Sequence, residues 1–149
     1  MFGLSVKEKL YRAIKTQTLE KLPSFEASFV NYMSKSEKMD KEQKGEAFMS
    51  CVIEYTDNVS SVLASGLAKS ITQKAMLAAQ MPQMTGLPKE ITMDYILSTS
   101  PFVGYYFAFY YYGITGKQIS PDDNDKYITP LNHYQTDLIS SVVDKYLVK

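Results

Sequence analysis

Apolar residues return at intervals of three and four along most of this chain, and this spacing most limits what it can fold into. Leu10 and Ile14 follow Val6 in this way near the start of the sequence. The pattern places apolar side chains on one face of an α-helix, whereas a half-buried strand needs strict alternation. We therefore predict an all-α fold, a single-domain helical bundle of about five to six helices that covers residues 1–149.

Serine, threonine and proline residues predict where the first helices begin and end. The first helix is expected over residues 5–21, opened by a capping box formed by Ser5 and the glutamate three positions later. Pro23 should end it, because proline lacks the backbone donor that a helix interior needs. Ser24 can then cap a second helix that ends near Lys35.

A long central helix is predicted after Asp40, which is the expected N-cap. Helical spacing continues over about thirty positions within residues 41–80. The pattern fits one helix or two helices joined near Asp57-Asn58, and it places Gly66 inside a helix at a cost of about 1 kcal/mol.

Two serine-proline or threonine-proline pairs open the predicted helices of the C-terminal part. Proline at the first helical position is a start signal and glycine past the last turn is a stop signal. These signals predict a helix over 101–112 that begins at Pro101 and ends before Gly113. They also predict a final helix that opens at Thr129, after an acidic turn that follows Ser120.

The helix over 101–112 is unusually aromatic, with eight Phe or Tyr residues among the eleven between Phe102 and Tyr112. Aromatic positions surround the whole helix, so a single buried stripe does not account for them. The alternatives are a central helix buried on most sides, a protein interface and docking to lipid headgroups. The predicted partner-binding residues are Tyr105, Tyr106, Phe109, Tyr110 and Tyr112.

Met81, Met84 and Met93 surround a loop rich in proline and glycine, and they are predicted either to pack adaptably or to line a pliable ligand groove. An apolar run without charge extends from Tyr95 to Gly116. Serine, threonine and proline interrupt the run, and its tyrosine hydroxyls would lack partners in hydrocarbon, so a membrane span is not predicted.

Candidate catalytic residues are few because the sequence holds one cysteine and one histidine. Cys51 with His133 would make a nucleophile and base if the fold brought them together, and Glu54 with Asp57 would make a carboxylate pair. Cys51 lies on an apolar helical stripe, where thiols are usually buried. We therefore predict no catalytic residue, no metal site and no cofactor.

Charge is balanced overall, with sixteen basic and sixteen acidic residues, and Arg12 is the single arginine. This composition argues against nucleic acid as a partner. Residues 1–44 nevertheless hold nine basic residues against six acids. Such an excess either attracts an acidic partner or an anionic membrane to the first helix, or belongs simply to a solvent-exposed face.

We expect a non-enzymatic helical module that binds another protein, as an inhibitor, chaperone or assembly subunit in a hetero- or homo-oligomer. The alternative is a peripheral membrane protein or a protein that binds an apolar ligand. One free cysteine and a charged N-terminal stretch predict a cytoplasmic protein, with peripheral membrane attachment left open.

Overall fold

A computed structural model describes residues 5–66, 85–87 and 101–147, and these residues form an all-α fold without strands. The prediction of a single-domain helical bundle is confirmed. The helical elements are α1 (Val6–Glu20), α2 (Leu22–Ser36), α3 (Lys41–Ser65), α4 (Gly104–Thr115), a single turn α5 (Pro121–Asp123), a π-helical segment (Asn124–Ile128) and α6 (Thr129–Leu147).

Helices α1 and α2 meet at one residue rather than across a loop. The Ser5 hydroxyl accepts the Glu8 amide at 3.1 Å, as the predicted cap requires, and Lys21 then serves as both the C-cap of α1 and the N-cap of α2. Pro23 lies in the first turn of α2, where its missing N–H is not needed. The predicted cap at Ser24 is wrong, because this hydroxyl donates to the Lys21 carbonyl instead.

Helix α3 begins where the sequence predicts. Asp40 and Gln43 form a reciprocal capping box, with a Gln43 amide to Asp40 carboxylate distance of 2.8 Å. The helix passes through Asp57-Asn58 without a break and ends at Gly66, so this glycine is a C-cap and not an interior residue. The rest of the predicted 41–80 segment lies outside the described residues.

Helix α4 begins and ends three residues later than predicted, because α6 provides its N-terminal caps. The Val103 amide donates to Gln135 Oε1 at 2.8 Å, and the Gly104 amide donates to Asn132 Oδ1 at 2.7 Å. At the other end, Gly116 adopts the left-handed conformation with φ of 70°, which favours glycine. The sequence prediction had placed the stop at Gly113, which is buried inside α4.

The C-terminal part of the described chain is one continuous helical run. Ser120 and Asp123 form a capping box at its start, as the acidic turn indicates. The π-helical segment then leads directly into α6, so Thr129-Pro130 does not open a separate helix. Within this continuous run, the polar side chains of Asn132 and Gln135 lie at the start of α4.

Helix α1 packs against α3, α4 and α6, and α2 packs against α3 and α6. The Tyr55 hydroxyl donates to the Thr18 carbonyl and so joins α3 to α1 within the core. Gln135 is fully buried, and its amide nitrogen donates to the Thr56 hydroxyl at 3.0 Å. The helices are therefore joined by paired buried polar groups as well as by apolar contact.

Candidate functional site

The aromatic helix α4 is mostly a core helix. Phe109 and Tyr110 expose 2% and 4% of their surface and belong to the hydrophobic core. This burial corrects their assignment as partner-binding residues, because a ring without exposed surface gives a partner nothing to contact. Tyr105, Tyr106 and Tyr112 are half-buried and keep some exposed surface.

Tyrosine hydroxyls on the α3 side of α4 are held by α3. The Tyr110 hydroxyl lies 2.8 Å from Ser60 Oγ and donates to the Ser60 carbonyl at 3.0 Å. Burial, followed by the charge of Asp57, raises the pKa of Tyr106 to about 12. Burial also raises the pKa of Tyr110. Both phenols therefore stay protonated at neutral pH and act as hydrogen-bonding core groups.

The opposite side of α4 stacks on the C-terminal helical run. The rings of Phe107 and Tyr127 are stacked at 4.7 Å between centroids, and the Tyr127 hydroxyl donates to Glu8 Oε1 at 3.1 Å. Lys7 forms an ion pair with Asp123 at 2.8 Å and lies over the Tyr111 ring. These aromatic side chains are thus used for packing and internal pairing.

The catalytic candidates do not form a reactive pair. Cys51 is buried, its thiol donates to the Ser28 carbonyl at 3.6 Å, and burial together with the charge of Glu54 raises its pKa. A raised pKa leaves little thiolate at neutral pH. His133 is exposed on α6, and Glu54 accepts a hydrogen bond from the Ser28 hydroxyl at 3.0 Å. Asp57, the predicted partner of Glu54, lies near Tyr106 and acts on it through its charge.

The predicted ligand groove at Met81, Met84 and Met93 lies outside the described residues. Within the described ranges, no group of three or more His, Cys, Asp or Glu side chains is arranged to hold a metal ion.

Two concave surfaces of the described chain lie on either side of α1. The first, which we call the α1–α3 groove, is open to solvent and has a volume of about 600 Å³. Its lining residues are Lys9, Arg12, Ala13, Thr16, Gln17, Val62, Leu63 and Gly66. The groove therefore combines apolar side chains of α3 with cationic and polar side chains of α1.

The second, the α1–α6 groove, has a volume of about 390 Å³ and shares Arg12 and Thr16 with the first. Tyr134 of α6 forms part of its lining, and the Lys15 ammonium lies 4.9 Å from the centroid of that ring. Glu20 also lines this groove. Arg12 thus stands on the ridge between two adjacent grooves.

Sequence reasoning did not identify these grooves, because their walls come from distant positions. The α1–α3 groove joins positions about fifty residues apart, and in the α1–α6 groove Tyr134 is more than a hundred residues from α1. The one available signal was the basic excess of residues 1–44, which includes Lys9 and Arg12. Val62 and Leu63 were assigned only to the apolar stripe of the long helix. In the structure both are half-buried and line the groove, and Leu63 also packs against the core.

Among the described helices, none has the length and apolar character needed to cross a membrane. Comparisons with protein-family models, with curated proteins and with solved structures gave no match to this chain.

Proposed function

We propose that this protein is a non-enzymatic helical interaction module that receives a segment of another protein in the α1–α3 groove. The observation that carries the proposal is the composition of this groove. Val62 and Leu63 provide apolar surface, while Arg12 and Gln17 provide hydrogen-bond donors. An apolar centre with a polar edge is the usual anatomy of a protein interface.

The concave shape of the site supports a chain segment as the occupant. An amphipathic helix binds by laying its apolar face into a hydrophobic groove, and its polar residues contact the edge. The α1–α3 groove lies between two helices, and a second groove adjoins it across Arg12. A bound segment that crosses this ridge would contact both surfaces.

The half-buried rings of Tyr105, Tyr106 and Tyr112 remain proposed partner contacts of a second kind. Tyrosine contributes large, rigid contact area at an interface. Their exposed edges would extend an interface but would not anchor it, because most of each ring contacts the protein itself.

A second candidate function is binding of an apolar small molecule in the same groove. Its volume of about 600 Å³ supports this candidate, since pockets for small ligands usually span about 300–1,000 Å³. The open form of the groove favours the protein segment, because small ligands are usually enclosed on most sides.

Site-specific photo-crosslinking tests the proposed function. A photoreactive residue at Gln17, which lines the α1–α3 groove, should crosslink a defined protein in native extract. The same residue at Asn31, which is exposed on α2, should not crosslink that protein. The captured protein is then purified, and its affinity is measured by titration calorimetry.

Filling the groove decides whether the captured protein binds there. Ala13→Phe places a ring in the groove, while Ala27→Phe makes the same change on the exposed surface of α2. We expect Ala13→Phe to weaken binding by about tenfold or more and Ala27→Phe to leave it unchanged. Equal affinities for the two folded variants, or equal crosslinking from Gln17 and Asn31, would refute the proposed site.

A further inference from the structure

The α1–α3 groove carries unbalanced positive charge. Lys9 and Arg12 are both exposed and both line it, and neither forms an ion pair with another described residue. None of the described residues that line this groove is acidic. Among its described lining residues, the groove therefore presents two cations beside apolar side chains and no carboxylate to neutralise them.

Two other cations of the described chain form ion pairs between packed helical segments. Lys7 contacts Asp123 at 2.8 Å, and Lys145 contacts Glu26 at 2.8 Å. Lys9 and Arg12 are three residues apart on α1, where two like charges repel each other by about 0.2–0.5 kcal/mol. An anionic partner would remove this repulsion and gain attraction to both side chains.

We propose, building on the proposed function, that the segment bound in the α1–α3 groove is an acidic amphipathic peptide. Its apolar side chains would contact Val62 and Leu63, and its carboxylates would contact Arg12 and Lys9. Arginine suits this role because its planar guanidinium binds a carboxylate through two parallel hydrogen bonds. Thr16, exposed beside Arg12, would supply a further hydroxyl donor.

The neighbouring α1–α6 groove limits where the acidic residues of the peptide can lie. Glu20 lines that groove, at the end of α1 opposite to Lys9. A carboxylate there would face a like charge, which disfavours binding. Lys15 also lines that groove and offsets part of this repulsion. The acidic residues are therefore expected beside Lys9 and Arg12, with a neutral or basic residue opposite Glu20.

Three designed peptides of about fifteen residues, long enough to form a helix on binding, test the inference. The first carries a leucine stripe flanked by glutamates. The second replaces each glutamate with glutamine, and the third replaces each leucine with glutamine. Binding to the full chain is measured by fluorescence anisotropy, and the contact surface is mapped by amide NMR shifts.

Two protein variants accompany the peptides. Arg12→Gln removes the charge at the shared ridge. Lys41→Gln makes the same charge change in the exposed first turn of α3, about 30 Å along that helix from Val62. Because both substitutions remove one positive charge from an exposed helix position, a general effect of net charge would weaken binding equally in both variants.

We expect the acidic leucine peptide to bind and to shift amides of α1 and of the C-terminal end of α3. Arg12→Gln should weaken this binding about tenfold, which corresponds to loss of one charge-assisted contact, and Lys41→Gln should leave it unchanged. Binding should also weaken as the ionic strength rises from about 0.01 M to about 0.15 M.

Equal binding of the glutamine peptide would overturn the inference and leave the proposed docking groove standing. Failure of all three peptides would overturn the inference as well, while the crosslinking and groove-filling experiments would decide the proposed function independently. Stronger Arg12-dependent binding to phosphatidylserine vesicles than to the acidic peptide would also overturn it, in favour of an anionic lipid surface.

Discussion

Replacement of Gly104 by alanine tests how closely α4 approaches the C-terminal helical run. A Cβ atom at Gly104 would lie far inside van der Waals distance of Asn132 Oδ1 and the Ile128 carbonyl oxygen, and 2.8 Å from Asn132 Cγ. The Asn132 side chain can rotate away, but the Ile128 carbonyl belongs to the backbone. The added methyl group therefore forces α4 away from α6 or distorts the π-helical segment.

Three opposing contributions set the size of the effect. Overpacking of a rigid site costs about 1–3 kcal/mol. Rotation of Asn132 breaks the 2.7 Å hydrogen bond from the Gly104 amide, which costs about 1 kcal/mol more. The alanine returns at most about 1 kcal/mol through its higher helix propensity. We expect a net destabilisation of about 1–3 kcal/mol, or roughly 2–4 °C of melting temperature per kcal/mol.

Urea denaturation followed by circular dichroism measures the change, and Gly45→Ala is the matched control. Gly45 is exposed inside α3 with no atom within 4 Å of the added methyl group, so alanine there should stabilise the protein by about 0.5–1 kcal/mol. In an Asn132→Ala background, the cost of Gly104→Ala should fall, because one of the two obstructing groups is gone. A stabilising effect of Gly104→Ala, equal to that of Gly45→Ala, would refute the described packing of α4.

Further predictions concern the buried polar groups. Gln135→Leu removes the acceptor of the Val103 amide and one of the two partners of the Thr56 hydroxyl, which still donates to the Pro101 carbonyl. The free energy of unfolding in urea should therefore fall by about 1–3 kcal/mol, and a change within experimental error would contradict this assignment. Burial alone would raise the pKa of Asp123, but hydrogen bonds from Lys7 and the Ser120 amide outweigh it and hold the pKa below its ordinary value of 3.8. Because a lowered folded-state pKa stabilises the protein above the unfolded pKa, this stabilisation should disappear as the pH falls below about 4. The melting temperature of Asp123→Asn should accordingly approach that of the wild type at low pH. Asp122→Asn changes an exposed neighbour, so its melting temperature should follow that of the wild type at every pH. A constant difference in melting temperature between Asp123→Asn and the wild type would refute the role of the ion pair.

The sequence predicts helix ends well where the deciding groups are neighbours. Asp40 caps α3 because its carboxylate needs only the Gln43 amide three residues later. Ser5 caps α1 in the same way, but the Ser5 amide does not donate to the Glu8 carboxylate as a full capping box requires; that carboxylate accepts from the Tyr127 hydroxyl instead. A local pattern contains no information about such a distant competitor.

The position of α4 shows a second limit of local patterns. Both Gly113 and Gly116 are acceptable helix stops by sequence, and Pro101 is an acceptable start. The start is instead set by Gln135 and Asn132, about thirty residues away, which cap the amides of Val103 and Gly104. Once α4 begins at Gly104, it continues through Gly113 and ends at Gly116, which adopts the positive φ.

The aromatic residues of α4 show the same limit of local patterns at the candidate site. Periodicity showed that aromatic side chains surround α4, but it did not show which neighbours cover each side. The structure places Tyr110 against Ser60 and Phe107 against Tyr127, so two sides of α4 are used internally. An aromatic segment is thus a poor predictor of an interface when each hydroxyl can find a partner at the edge of the core.

The charges of α1 likewise indicate more about recognition in the structure than in the sequence alone. Lys9 and Arg12 on an isolated helix indicate only a solvated face, because exposed lysine and arginine are common there. The fold makes these two charges more important for binding because it places Val62 and Leu63 beside them. An apolar wall next to a cation lowers the local dielectric and strengthens the attraction of the cation to an anion. The value of a charge for recognition therefore depends on the surface that the fold places beside it, and at this groove that surface is apolar.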